Sequence, residues 1–141
     1  IESLSLRMEK HVANAEKIAA WLEGHDAVAS VTYAGLDSSP YKARAQKLCP
    51  KGAGALFTVQ LKGGYEACVK FVNSLELFSH VANLGASPPL VIHPASTTHR
   101  QLTDAQKVAA GAAPNSVRLS IGIENAEDLM ADLDQALKAA G

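Results

Sequence analysis

Two histidines, three consecutive hydroxyl side chains and an arginine crowd into Val91-Ile92-His93-Pro94-Ala95-Ser96-Thr97-Thr98-His99-Arg100. Those side chains permit metal ligation, or a nucleophile with its base. Ligation fails on spacing, because the two imidazoles would stand about 120° apart around a helix axis or about 20 Å apart along a strand face. A tight loop would still need a third ligand. A hydroxyl–histidine pair needs an orienting carboxylate and oxyanion donors. No G-x-S-x-G turn is present, and the nearest acid, Asp104, belongs to a helix start. The decapeptide therefore reads as a shaped turn. Pro94 fixes its own φ and holds His93 extended, and the hydroxyls satisfy nearby backbone donors.

Arg118 is the stronger candidate. Val117, Leu119, Ile121 and Ile123 alternate with Ser116, Arg118, Ser120, Gly122 and Glu124, which is the pattern of a strand with one apolar face. A strand aims its side chains accurately, and a guanidinium offers a two-pronged fork to a carboxylate. Ser120 points the same way. The competing reading is an arginine solvated on an open sheet face or paired with Glu124. None of the nine lysines follows the S-x-[ST] context of a pyridoxal phosphate lysine, and no Gly-rich phosphate loop runs into Lys-Ser or Lys-Thr.

The elements that must position these residues follow from periodicity. Leu4, Met8, Val12, Ala15, Ala19 and Leu22 predict one long helix ending near Gly24. Val28 to Tyr33 predicts a strand, and Pro40 to Leu48 a short helix. Ala55 to Lys62 predicts a half-buried strand, and Tyr65 to Leu75 a helix. Phe78 to Leu84 and Leu90 to Ile92 predict two further strands. Thr103-Asp104-Ala105-Gln106 is a capping box for a short helix, and Asn125 caps the last helix, with Glu127 and Asp128 favourably placed in its first turn. Strands and helices intermix without strict βαβ alternation. The expected class is α+β, a mostly antiparallel sheet with helices packed on one face.

Composition bounds the rest. A chain of 141 residues suits one core, and 48% hydrophobic against 19% charged residues excludes disorder. A net charge of -1 without a basic block argues against nucleic acid. No apolar run approaches the roughly 20 residues of a membrane span. Cys49 and Cys68 form neither a zinc quartet nor a disulfide framework; they read as small buried hydrophobes in a reducing, cytoplasmic setting. The chain opens on Ile1 within an amphipathic pattern, which reads as a segment of a longer protein.

Several motifs then fall in one order: Leu6-Arg7-Met8-Glu9-Lys10-His11 with Asn14-Ala15, Lys51-Gly52-Ala53-Gly54-Ala55, Ala82-Asn83-Leu84-Gly85, Val91 to His99, and Val117 to Glu124. Together they resemble the C-terminal part of the Cys/Met-metabolism pyridoxal phosphate enzymes. Asn83 before Leu84-Gly85, and HPASTTH before Arg-Gln-Leu, are most similar to the O-acetylhomoserine sulfhydrylase branch.

The resemblance implies the small C-terminal domain of the aminotransferase-like fold. Residues 1–24 would form the long helix arriving from a large domain that holds pyridoxal phosphate, and residues 25–141 the domain that closes over substrate. Arg118 matches the family arginine that binds the substrate α-carboxylate, and Asn83 the position that assists there. No catalytic, cofactor-binding or metal-binding residue is assigned to this chain, and alone it is expected to be inactive. His93 and His99 belong to a motif that some relatives lack, so they are given no catalytic role. The implied substrates are O-acetyl-L-homoserine and sulfide, in a homotetramer. The near alternatives are cystathionine γ-synthase or methionine γ-lyase; a free-standing, non-catalytic small-molecule-binding domain is the distant one. Ala86-Ser87-Pro88-Pro89 departs from the acidic or lysine-bearing family segment.

Overall fold

The computed structural model describes residues 2–141. Helix α1 (Leu4–Glu23) leads into β1 (Val28–Thr32), α2 (Lys42–Leu48), β2 (Leu56–Leu61) and α3 (Gly64–Ser74). Then come β3 (Ser79–His80), β4 (Leu90–Ile92), a 3-10 turn over Pro94–Ser96, α4 (Asp104–Ala109), β5 (Ser116–Ser120) and α5 (Ala126–Ala140). One sheet runs in the order β1-β2-β5-β4-β3, with β5 at its centre. All neighbours are antiparallel except β3 and β4. The class is α+β, as the alternation of patterns predicts.

Phe57, Val59, Leu61, Val91, Val117 and Leu119 project from one sheet face into a core closed by α1, α3 and α5. Leu129, Leu133 and Leu137 of α5 fill its centre, each stabilising the fold by roughly 1.5–3 kcal/mol relative to exposure. The buried stripe of α1 is His11, Asn14, Ala15, Ile18, Ala19 and Leu22. It is rotated from the hydropathy pattern, because Leu4 and Met8 are 45% and 37% exposed while two polar side chains occupy the core-facing stripe. Cys68 is buried as expected. Cys49 is exposed, because it follows α2, a helix with no buried residue.

Both helix starts carry the expected caps. Thr103 and Gln106 close a reciprocal capping box at α4, and Asn125 Oδ1 accepts from the Glu127 amide at 2.9 Å. Two strands are shorter than their patterns. The one expected over Phe78–Leu84 keeps only Ser79–His80, and the one expected to reach Glu124 stops at Ser120. Past Ser120 the Ile121 amide still bonds in register to the Ala55 carbonyl beside β2, at 2.9 Å, and the Ile123 amide then leaves for the Ser87 carbonyl at 3.1 Å.

Candidate functional site

On the face of β5 opposite the helices, Arg118 stands in register between Thr58 of β2 and Ile92 of β4. Ser120 stands two residues on, between Leu56 and Leu90. This is not an open, solvated face. Ser116 and Ser120 are buried and Arg118 is half-buried, and the Asn83–Gly85 turn lies against Arg118 and Ser120. Arg118 Nη2 donates to the Asn83 backbone carbonyl at 3.3 Å. The Gly85 amide donates to Ser120 Oγ at 3.3 Å. Gly85 takes φ +70°, a left-handed conformation suited to glycine.

Asn83 caps its own turn, its Oδ1 accepting from the Leu84 amide at 2.8 Å. That leaves its Nδ2 as an uncommitted donor among the described residues. Arg118 has no carboxylate partner among them either. The Glu124 carboxylate, the partner that spacing suggested, folds back over the Gly122 Cα instead. The result is a half-buried cation with most of its donor fork unspent, beside an amide donor. Such an arrangement suits one anionic, planar group, and a carboxylate fits it bidentately.

His93 lies elsewhere. Alternation along β4 turns it away from the Ile92–Arg118 row, and its ring packs edge-on against Tyr65 of α3, centroids 4.9 Å apart. Its Nε2 lies 2.8 Å from the Pro114 carbonyl, which can only accept, so Nε2 carries the proton. Nδ1 then accepts from Ser96 Oγ at 2.9 Å. Thr97 Oγ1 donates to the His93 carbonyl at 2.8 Å, and Thr98 Oγ1 lies 2.8 Å from His99 Nδ1. The crowded decapeptide is thus a turn whose hydroxyls serve its own backbone and rings.

Burial pushes the His93 imidazole below its ordinary pKa, the Pro114 bond opposes this, and the charges of His80 and Lys107 add to it. The unfolded chain then binds the proton more readily, so stability is intact above about pH 6.5 and falls as the pH drops below it. Urea midpoints at pH 7.5 and 5.5 measure this, and the loss is expected to be larger in the parent chain than in His93→Gln.

Two positioning residues escaped the reading of the sequence except as pieces of a motif. His11 is 1% exposed and Asn14 2%. His11 Nδ1 reaches the Ile121 carbonyl at 2.6 Å, and Asn14 Nδ2 donates to the carbonyls of Gly122 and Glu124 at 3.0 and 2.8 Å. They satisfy the carbonyls that β5 leaves unpaired when it quits the sheet just past Ser120. Two polar side chains on the otherwise apolar buried stripe of α1 were the available signal.

The chain is 50% identical over 137 residues to O-acetyl-L-homoserine sulfhydrylase 1 of Thermus thermophilus, covering 97% of this chain and 32% of that protein. It is 44% identical over 137 residues to the L-methionine gamma-lyase of Treponema denticola, covering 97% of this chain and 34% of the relative. A crystal structure from Campylobacter jejuni, provisionally an O-acetylhomoserine (thiol)-lyase and carrying a pyridoxyl-lysine, superposes with a TM-score of 0.90 at 42% identity. That match covers 97% of this chain and 32% of the other. The chain therefore spans about a third of the length of the relatives it matches. The model of one family, the Cys/Met metabolism PLP-dependent enzymes, matches residues 1–138, and it is to this family that the chain belongs.

Proposed function

We propose that this chain is the C-terminal, substrate-closing part of an O-acetylhomoserine sulfhydrylase, in which O-acetyl-L-homoserine and sulfide give homocysteine and acetate. The observation that carries the reading is the Arg118 fork, held on the central strand, steadied by the Asn83 carbonyl and, among the described residues, paired with no acid. A cation on a strand, half out of water, orients a carboxylate more strictly than one on a loop. Arg118 would bind the α-carboxylate of the amino acid and Asn83 Nδ2 would donate to the same group.

Pyridoxal phosphate, when bound by the large domain, supplies the electron sink for the reaction. No lysine of this chain has the context of the cofactor lysine, so the share of this chain is to hold the amino acid. With its carboxylate fixed, the Cα proton and the acetoxy group occupy set directions relative to the cofactor. Orientation of this kind is worth on the order of several kcal/mol of the barrier. On this reading residues 1–24 arrive from the large domain and residues 25–141 close over the substrate. The whole enzyme is a cytoplasmic homotetramer. Among the described residues no helix is long and apolar enough to cross a membrane.

The gamma-lyase relative marks the second reading, in which the same carboxylate site serves thiol elimination from methionine. The full-length protein, loaded with pyridoxal phosphate and given O-acetylhomoserine and sulfide, is expected to release homocysteine and acetate in equal amounts. Thiol release from methionine, with no homocysteine formed from O-acetylhomoserine, would replace the first reading by the second. The isolated chain is expected to turn over neither substrate.

A further inference from the structure

We infer that Ser120 is a positioning residue for the carboxylate site, its buried hydroxyl pinning the Asn83–Gly85 turn to β5 so that Asn83 and Arg118 meet one ligand. The inference rests on the reading of Arg118 and Asn83 as substrate contacts, and it adds a residue to which neither geometry nor resemblance had given a role.

Ser120 is 4% exposed and lies in register between Leu56 and Leu90. A hydroxyl between two leucines carries a desolvation cost that a small apolar side chain would avoid, unless it has a hydrogen-bond partner. The partner is the Gly85 amide at 3.3 Å. Asn83, Leu84 and Gly85 otherwise bond within their own turn, through the Asn83 amide to the Val81 carbonyl and the Leu84 amide to Asn83 Oδ1. Among the described residues, two hydrogen bonds join these three residues to the sheet. One is made by Ser120 and the other by Arg118 itself.

That division has a consequence for binding. A carboxylate arriving at Arg118 competes with the Asn83 carbonyl for the donors of the fork. Where the fork turns toward the ligand, Ser120 is the bond that keeps the turn in place, and with it the Nδ2 of Asn83. Without Ser120, a bound ligand would gain Arg118 while loosening Asn83. A turn with an exposed Leu84 has little burial to hold it otherwise.

The test uses the full-length holoenzyme and steady-state kinetics with O-acetylhomoserine. Arg118→Ala comes first: if it leaves KM unchanged, the carboxylate reading fails and this inference with it. If Arg118→Ala raises KM, Ser120→Ala is expected to raise it about five- to tenfold, as one lost hydrogen bond would. Its kcat should stay within about twofold, and the cofactor absorbance should be retained. Ser120→Thr, which keeps the hydroxyl, should restore KM. In an Asn83→Ala background the same Ser120→Ala change should add less than about twofold, because the turn then has nothing to position. An unchanged KM in Ser120→Ala, an undiminished effect in the Asn83→Ala background, or no rescue by threonine would each overturn the assignment while leaving Arg118 in its role. Should Ser120→Ala fail to fold, Ser120→Cys keeps the volume with a weaker acceptor, and an unchanged KM there would overturn it equally.

Discussion

In the full-length enzyme, Arg118→Ala is expected to raise KM for O-acetylhomoserine by about 10²- to 10³-fold while leaving the cofactor absorbance in place. Two charge-assisted hydrogen bonds to a carboxylate contribute roughly 1.5–3 kcal/mol each. Their joint loss, softened by water entering the emptied space, gives about 3–4 kcal/mol, which is that range. Arg118→Lys should fall between, because it keeps the charge and loses the planar fork. The comparison separates geometry from charge. A lysine variant equal to the parent would mean that charge alone suffices, and an alanine variant with unaltered KM would take Arg118 out of the site.

Gly122→Ala is expected to destabilise the fold by about 3 kcal/mol, at the upper end of the range for overpacking. A Cβ there would stand 2.1 Å from Glu124 Oε2, 2.7 Å from the Pro89 nitrogen and 2.8 Å from the Ser87 carbonyl oxygen. The Glu124 carboxylate can swing aside. The two backbone atoms cannot, since Pro89 is fully buried and Ser87 O accepts from the Ile123 amide at 3.1 Å. Gly54 provides the contrast, with φ +83° but nothing within 4 Å of an added Cβ. Gly54→Ala should therefore cost only the left-handed strain of about 1–2 kcal/mol. Urea denaturation midpoints of the two variants measure the difference. If Gly122→Ala were no more harmful than Gly54→Ala, the close approach of Ser87–Pro89 to the exit of β5 would be wrong.

Periodicity was a good guide where one element has one apolar face. Phe57, Val59 and Leu61 on β2, and the Asn125-capped α5, sit where alternation and capping chemistry put them. Legibility failed where backbone bonds leave the sheet. Ile121 and Ile123 continue the alternation of β5, yet the Ile123 amide goes to Ser87, and no single-residue pattern encodes a partner contributed from so far along the chain. The same holds for Phe78–Leu84, whose apolar residues read as a strand while Asn83–Gly85 turns over β5. On α1 the failure has a chemical origin. His11 and Asn14 are hydrophilic by any scale, so a hydropathy stripe passes them over in favour of Leu4 and Met8. Arg118 was legible because a strand exposes alternation directly, and Asn83 only because it lies inside a recognisable motif.

The grip of α1 on the exit of β5 has a mechanical meaning. Through His11 and Asn14 the helix is bonded to Ile121, Gly122 and Glu124, three to six residues beyond the strand position that carries Arg118. Torsional bending between α1 and the sheet would have to break those bonds and open the core at Ala15, Ile18 and Leu22. Helix α1 from His11 onward therefore moves with the sheet as one body. A rotation applied to α1 is thereby carried to the strand that holds the arginine, as through the arm of a lever.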